Sequence, residues 1–183
     1  MPIIPDDKNW TWVLDRQCPE CGFDGTELSS TAVPGALREN AAVWPDLLAR
    51  PDASKRPSDD KWSALEYGCH VRDVFVLYDR RLSLMLEQDN PDFENWDQDK
   101  TAMDDRYHEQ DPAQVSQDLL GAAAALADRF DTVTGEAWSK TGHRSDGSHF
   151  TVDTFARYLL HDPVHHVHDV ETGYEQLERN RQG

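Results

Sequence analysis

The 183-residue chain has only three cysteines, Cys18, Cys21 and Cys69. So small and odd a number, without a secretory pattern, excludes a disulfide framework as the stabilising device. Long apolar runs are missing as well. No stretch reaches the roughly 18 apolar residues of a membrane span, and the opening Met1-Pro2-Ile3-Ile4-Pro5-Asp6-Asp7-Lys8 is not patterned as a signal peptide. A cytoplasmic protein without a membrane partner is the expectation. Basic charge is scarce: 18 Lys and Arg stand against 35 Asp and Glu, for a net charge of −17, and no Lys/Arg cluster interrupts the excess. Such a surface repels phosphate backbones and excludes nucleic acid as a partner. Neither a Gly-rich phosphate loop nor a G-x-S-x-G elbow is present. Glu66 lies four residues before His70, but the paired Glu-x-x-His arrangement of a di-iron bundle is absent.

Histidine is what the chain does have, and it is concentrated. Half of the eight histidines fall in His161-Asp162-Pro163-Val164-His165-His166-Val167-His168-Asp169. At about 100° per helical residue, His165 sits roughly 40° from His161 and His168 roughly 20° from it on the other side, while His166 points roughly 140° away. The i, i+4 spacing of His161 and His165 suits two ligands of one metal ion.

The length allows one domain with a sizeable core, and the 38% hydrophobic content fits helices with wet outer faces. Residues 1–30 read as a cap. A first helix is expected from about Ala32 to Arg50, with Pro34 in its first turn, Leu37, Ala41, Trp44, Leu47 and Leu48 at helical spacing, and a kink or break at Pro45. A second runs from about Ser63 to Glu87, opened by Ser63 and Glu66 as a capping box. Residues 90–110 form an acidic connection with one short helix around Asp97 to His108. A third helix spans Pro112 to Val133, where an alanine-rich middle permits close helix approach. Asp146-Gly147 signals a turn and a short hairpin. A fourth helix starts near Thr151 and carries the histidines, and residues 173–183 read as a tail. Four amphipathic helices joined by long connections describe an all-α four-helix bundle over residues 31–172.

Within the cap, Cys18-Pro19-Glu20-Cys21-Gly22 has the shape of a zinc knuckle, in which Pro and Gly turn both thiolates toward one ion. Three readings stay open: a structural metal completed by Cys69, His143 or His149, a turn that happens to carry two thiols, and a redox pair, which lacks its usual βαβ setting.

One early histidine on the second helix and two on the fourth would form a three-nitrogen site, His70, His161 and His165, with open positions. Imidazole suits both zinc and nickel. Asp73 and Asp169 are candidate outer acceptors for the ligating rings. His168 is a spare: an alternative ligand in place of His161, a proton shuttle, or a residue without a role. Arg72, Arg144 and Arg157 are candidates for holding an acidic substrate. Pro163 falls between the two ligands of the fourth helix. Either that helix kinks there, or a new helix starts with Asp162 as its cap, in which case the 40° relation lapses.

The tract Lys61-Trp62-Ser63-Ala64-Leu65-Glu66-Tyr67-Gly68-Cys69-His70-Val71-Arg72-Asp73-Val74 resembles the second-helix signature of the DinB-like/YfiT-like four-helix bundle superfamily. His161-Asp162-Pro163-Val164-His165-His166 resembles the family's final H-x-x-x-H. The resemblance implies a bundle over about residues 30–170, a divalent metal on His70, His161 and His165, and a homodimer. It also implies a metal-dependent S-transferase or isomerase that uses a low-molecular-weight thiol, as in mycothiol-dependent maleylpyruvate isomerase. The competing expectation is a metal-stabilised bundle without chemistry, a binding or stress-response module whose coordination sphere is filled.

Overall fold

The computed structural model describes residues 10–182; the opening Met1 to Lys8 lies outside the described residues. Four long helices carry the fold: α1 (Val33–Leu48), α2 (Ala64–Glu87), α4 (Pro112–Asp131) and α5 (Val152–Gln182). A short α3 (Gln98–Asp104) lies in the acidic connection between α2 and α4. Three short strands, β1 (Asp92–Phe93), β2 (Thr141–Arg144) and β3 (His149–Thr151), correct the all-α expectation. The molecule is mostly helical with one small sheet of order β1-β2-β3. The Asp146-Gly147 turn, with Gly147 at φ +91°, closes the antiparallel β2–β3 hairpin, and the acidic connection lays β1 parallel beside β2.

Helix starts follow local chemistry. Ser63 Oγ accepts from the Glu66 amide at 3.2 Å while Glu66 Oε2 accepts from the Ser63 amide at 2.9 Å, a complete capping box at the head of α2. Asp111 caps α4 ahead of Pro112. At α5, Thr151 and Thr154 exchange backbone-to-side-chain hydrogen bonds at 2.9 and 3.1 Å, so the hairpin feeds directly into the helix.

The prolines do not end their helices. α1 continues past Pro45, and α5 runs unbroken past Pro163. Asp162 is therefore an interior helical residue and not a cap, and the i, i+4 relation of His161 and His165 holds. α5 also continues beyond Gly173, where a tail was expected. Its last turns dock on the α1–α2 connection: Tyr174 Oη donates to Leu47 O at 2.6 Å, and Arg50–Glu178 and Arg181–Asp52 pair across.

The core is an apolar interior between the four long helices. Val115, Leu119, Ala123, Leu126, Ala127 and Phe130 form the buried stripe of α4. The alanines on that stripe let α4 approach both α1 and α2, its two most extensive helix interfaces. Trp44, Phe75, Phe130, Phe155 and Leu82 are fully buried, and each contributes about 1.5–3 kcal/mol through removal from water. α5 closes the bundle on α1 and α2 and leaves one face to the N-terminal segment.

That segment starts as a 3-10 turn, Trp10–Leu14, packed on α5 with Val13 buried. A tight loop follows, held by Cys18 N donating to Phe23 O at 2.8 Å and Gly22 N to Cys18 O at 2.9 Å. Gly22 takes φ +76°, which a side chain would strain. Arg157 of α5 donates to Gly25 O at 3.0 Å and anchors the loop's far end.

Candidate metal centre

His70 stands in the second turn of α2, and its side chain is wholly buried. It stacks against Trp96, ring centroids 5.3 Å apart and planes 8° apart, and Trp62 lies 5.5 Å away. Neither ring nitrogen of His70 has a hydrogen-bond partner, nor does the buried Asp162 Oδ1. Leaving such groups unpaired away from water costs several kcal/mol in total, at about 1–3 kcal/mol each. The unpartnered His70 and Asp162 atoms meet near a third ring: His70 Nε2 is 3.4 Å and His166 Nε2 3.7 Å from Asp162 Oδ1. Two ligand atoms on one tetrahedral ion, each about 2.05 Å from it, are about 3.3 Å apart, so the separations fit a shared ion.

Asp162 and His166 occupy successive turns of one α5 face, at i, i+4. On the other side of His166, Nδ1 lies 2.9 Å from Asp169 Oδ2. With Nδ1 on Asp169, the other ring nitrogen, Nε2, faces Asp162. Burial acts against the Asp162 charge, but the facing His70 and His166 rings outweigh it and bring the carboxyl down to about 2. Asp162 is thus an anion at neutral pH. Two imidazoles and one carboxylate make a three-ligand set with open positions, the pattern of catalytic metal sites.

The expected trio of His70, His161 and His165 is not brought together. His161 and His165 face the N-terminal segment, where their ring nitrogens and the thiols of Cys18 and Cys21 all lie within 4.8 Å of one another. Among the described residues these two groups, Cys18/Cys21/His161/His165 and His70/Asp162/His166, are the clusters spaced for an ion. The physical reason is the 100° step of the helix: moving one residue along α5 turns an i, i+4 pair from the N-terminal segment toward α2. Asp162 and His166 were missed for this reason. Their spacing equals that of His161 and His165, and nothing in the sequence says which pair faces α2.

Other expected residues are placed as follows. Asp169 is an outer acceptor, but for His166. Asp73 accepts from Arg72 Nε at 2.8 Å and from the Tyr107 hydroxyl, and it leaves the His70 ring unpartnered. Arg72 also donates to Gln110, Arg144 bridges Asp146 and Tyr158, and Arg157 joins Asp153 to Gly25. All three arginines are engaged within the protein. Cys69 is buried beside Tyr107 O, its thiol pushed up to about 12 by burial, and does not complete the Cys18/Cys21 pair. His143 and His149 sit on the hairpin, ring against ring, and do not complete it either.

A cleft of about 210 Å³ opens beside the centre, lined by Glu20, Lys61, Trp62, Tyr67, His168 and Asp169 among others. Tyr67 reaches from this cleft to the His166 ring, centroids 4.9 Å apart. His168 belongs to the cleft wall and to neither ligand group.

A search of curated proteins finds no match. Among solved structures, YfiT from Bacillus subtilis, described as a probable metal-dependent hydrolase with an unusual four-helix bundle topology, is similar with a TM-score of 0.62 and 16% identity, over 94% of this chain and 92% of that one. The model of the DinB superfamily matches residues 36–170, which include α2 and the histidine-bearing turns of α5, and the chain belongs to that superfamily.

Proposed function

We propose that this protein is a metal-dependent enzyme in which His70, Asp162 and His166 hold a zinc or nickel ion that activates a small nucleophile against a substrate in the adjoining cleft. The observation that carries this reading is the grouping of the buried, unpartnered His70 and Asp162 atoms with His166 Nε2 at ligand spacing. A bound ion there would supply Lewis acidity and lower the pKa of a coordinated thiol or water.

The surrounding residues define the rest of the chemistry. Trp62 and Trp96 pack on the His70 ring and exclude water behind it. Asp169 fixes the His166 ring and raises its basicity. Lys61 lines the cleft and offers a positive group that a small anionic substrate would meet. The nucleophile proposed is a low-molecular-weight thiol of the mycothiol type, making the reaction an S-transfer or a thiol-dependent isomerisation. Water is the second reading, supported by the description of YfiT as a probable metal-dependent hydrolase.

The test is to load the protein with zinc or nickel and follow thiol adduct formation with a small electrophile beside ester and amide hydrolysis. Thiol-dependent turnover that falls about 100-fold or more in His70→Ala and His166→Ala supports the thiol reading. Hydrolysis with the same dependence on those residues assigns water instead. Turnover equal in wild type and both variants would contradict the site.

A further inference from the structure

We propose that Cys18, Cys21, His161 and His165 form a second metal site, a closed four-ligand centre of the structural zinc type that ties the N-terminal segment to α5. It is separate from the site of the proposed reaction and does not depend on that reaction's being right.

The ligand atoms come from two parts of the chain that have no other reason to share this chemistry. The loop hydrogen bonds of Cys18 and the left-handed Gly22 turn both thiols to one side. On α5, the i, i+4 spacing puts His161 and His165 on one face, ring centroids 5.0 Å apart. Cys18 Sγ lies 3.7 Å from His165 Nδ1. With zinc bonds of about 2.3 Å to sulfur and about 2.05 Å to nitrogen, a tetrahedral centre sets these atoms about 3.6 Å apart.

The surroundings favour an ion over free groups. Cys18 is 1% and His161 4% exposed, and His161 Nε2 has no hydrogen-bond partner. The rings of Trp10 and Phe23 lie 5.2 and 5.6 Å from His161 and wall the group from solvent. Two thiolates with two imidazoles fill a tetrahedron, and thiolate ligands select zinc over harder cations. The absence of an open position distinguishes this centre from the three-ligand one.

The two sites share α5 one residue out of step, 161/165 against 162/166. An ion at the first would fix the rotation of α5 and so aim the second pair at His70. Glu20, between the two cysteines, lies 3.5 Å from His165 Nε2 and lines the substrate cleft, so filling the cysteine site would also set that wall.

The experiment is zinc-edge X-ray absorption on His70→Ala protein, in which the proposed catalytic site is disabled. The expected result is one zinc per chain with two sulfur neighbours at about 2.3 Å and two nitrogen neighbours at about 2.0–2.1 Å. Independently of any variant, one equivalent of Co(II) added to metal-free wild type should give a thiolate-to-cobalt charge-transfer band in the near ultraviolet. Zinc with only nitrogen and oxygen neighbours would overturn the proposal. So would Cys18 and Cys21 that react with a thiol reagent in zinc-loaded, folded protein as fast as in metal-free protein. Failure of the catalytic reading alone looks different: the sulfur-ligated zinc persists and His70→Ala removes no metal.

Discussion

Asp169 sits between the two ligand groups. Its Oδ2 engages His166 Nδ1 at 2.9 Å, and its Oδ1 lies 3.8 Å from His165 Nε2. One carboxylate thus holds the His166 ring and stands near the His165 ring. Replacing it with alanine removes the acceptor that fixes His166, and metal affinity at the His70 site should fall about 10–100-fold; competition with a chelating dye measures this. Glu66, one turn before His70, is a second pivotal residue. It is buried, receives Arg56 Nε at 2.9 Å and also closes the capping box. Burial opposes its charge, but Arg56 and Ser63 outweigh this and hold its pKa below the ordinary 4.5. Being depressed in the folded state, the carboxylate adds stability that is full above about pH 4.5 and is lost as pH falls through the folded value. Glu66→Gln should therefore lower stability at neutral pH by about 2 kcal/mol and flatten the acid limb of a stability-against-pH curve. An acid limb unchanged from wild type would refute this role.

At the scale of elements, the helices were legible because their signals are local. Ser63 with Glu66 marked the start of α2 to the residue, Pro112 marked α4, and Asp146-Gly147 marked the hairpin. Ser63→Ala should cost about 1 kcal/mol, read from denaturant unfolding. β1 was not legible: its two residues carry no strand pattern and pair only because the connection runs beside β2. The continuity of α5 through Pro163 was also undecided from sequence, since a proline there is equally compatible with a new helix start. The N-terminal segment depends on a close backbone approach. A Cβ on Gly25 would stand 2.8 Å from Val13 O, and Gly25 O accepts from Arg157. Gly25→Ala should loosen the segment from α5, so that trypsin cuts after Arg16 faster than in wild type while helix content by circular dichroism stays the same. Equal cleavage rates would mean that the segment tolerates the extra atom.

At the scale of the whole molecule, the bundle brings two distant stretches onto one helix. α2 delivers His70 to one side of α5, and the N-terminal segment delivers Cys18 and Cys21 to another. In the sequence the histidine cluster carries the expectation of a metal site, and the place of His70 on the second helix marks it as a candidate ligand. The partition of the cluster was not legible, because 161/165 and 162/166 have the same spacing and only tertiary packing decides which faces α2. The Cys18/Cys21 partners were hidden for a related reason: they lie 140 or more positions away in the chain, at His161 and His165. The strongly acidic surface suits such a protein, since a net charge of −17 raises the local concentration of cations around both groups.

The most direct test of the account is metal content per chain after saturation with zinc and removal of excess ion. Wild type, a His70→Ala/His166→Ala double variant and a Cys18→Ser/Cys21→Ser double variant would be measured side by side. The account predicts about two equivalents in wild type and about one in each variant, with sulfur ligation surviving only in the histidine variant. A histidine variant that retains all the metal of wild type, or a wild type that takes up none, would contradict it.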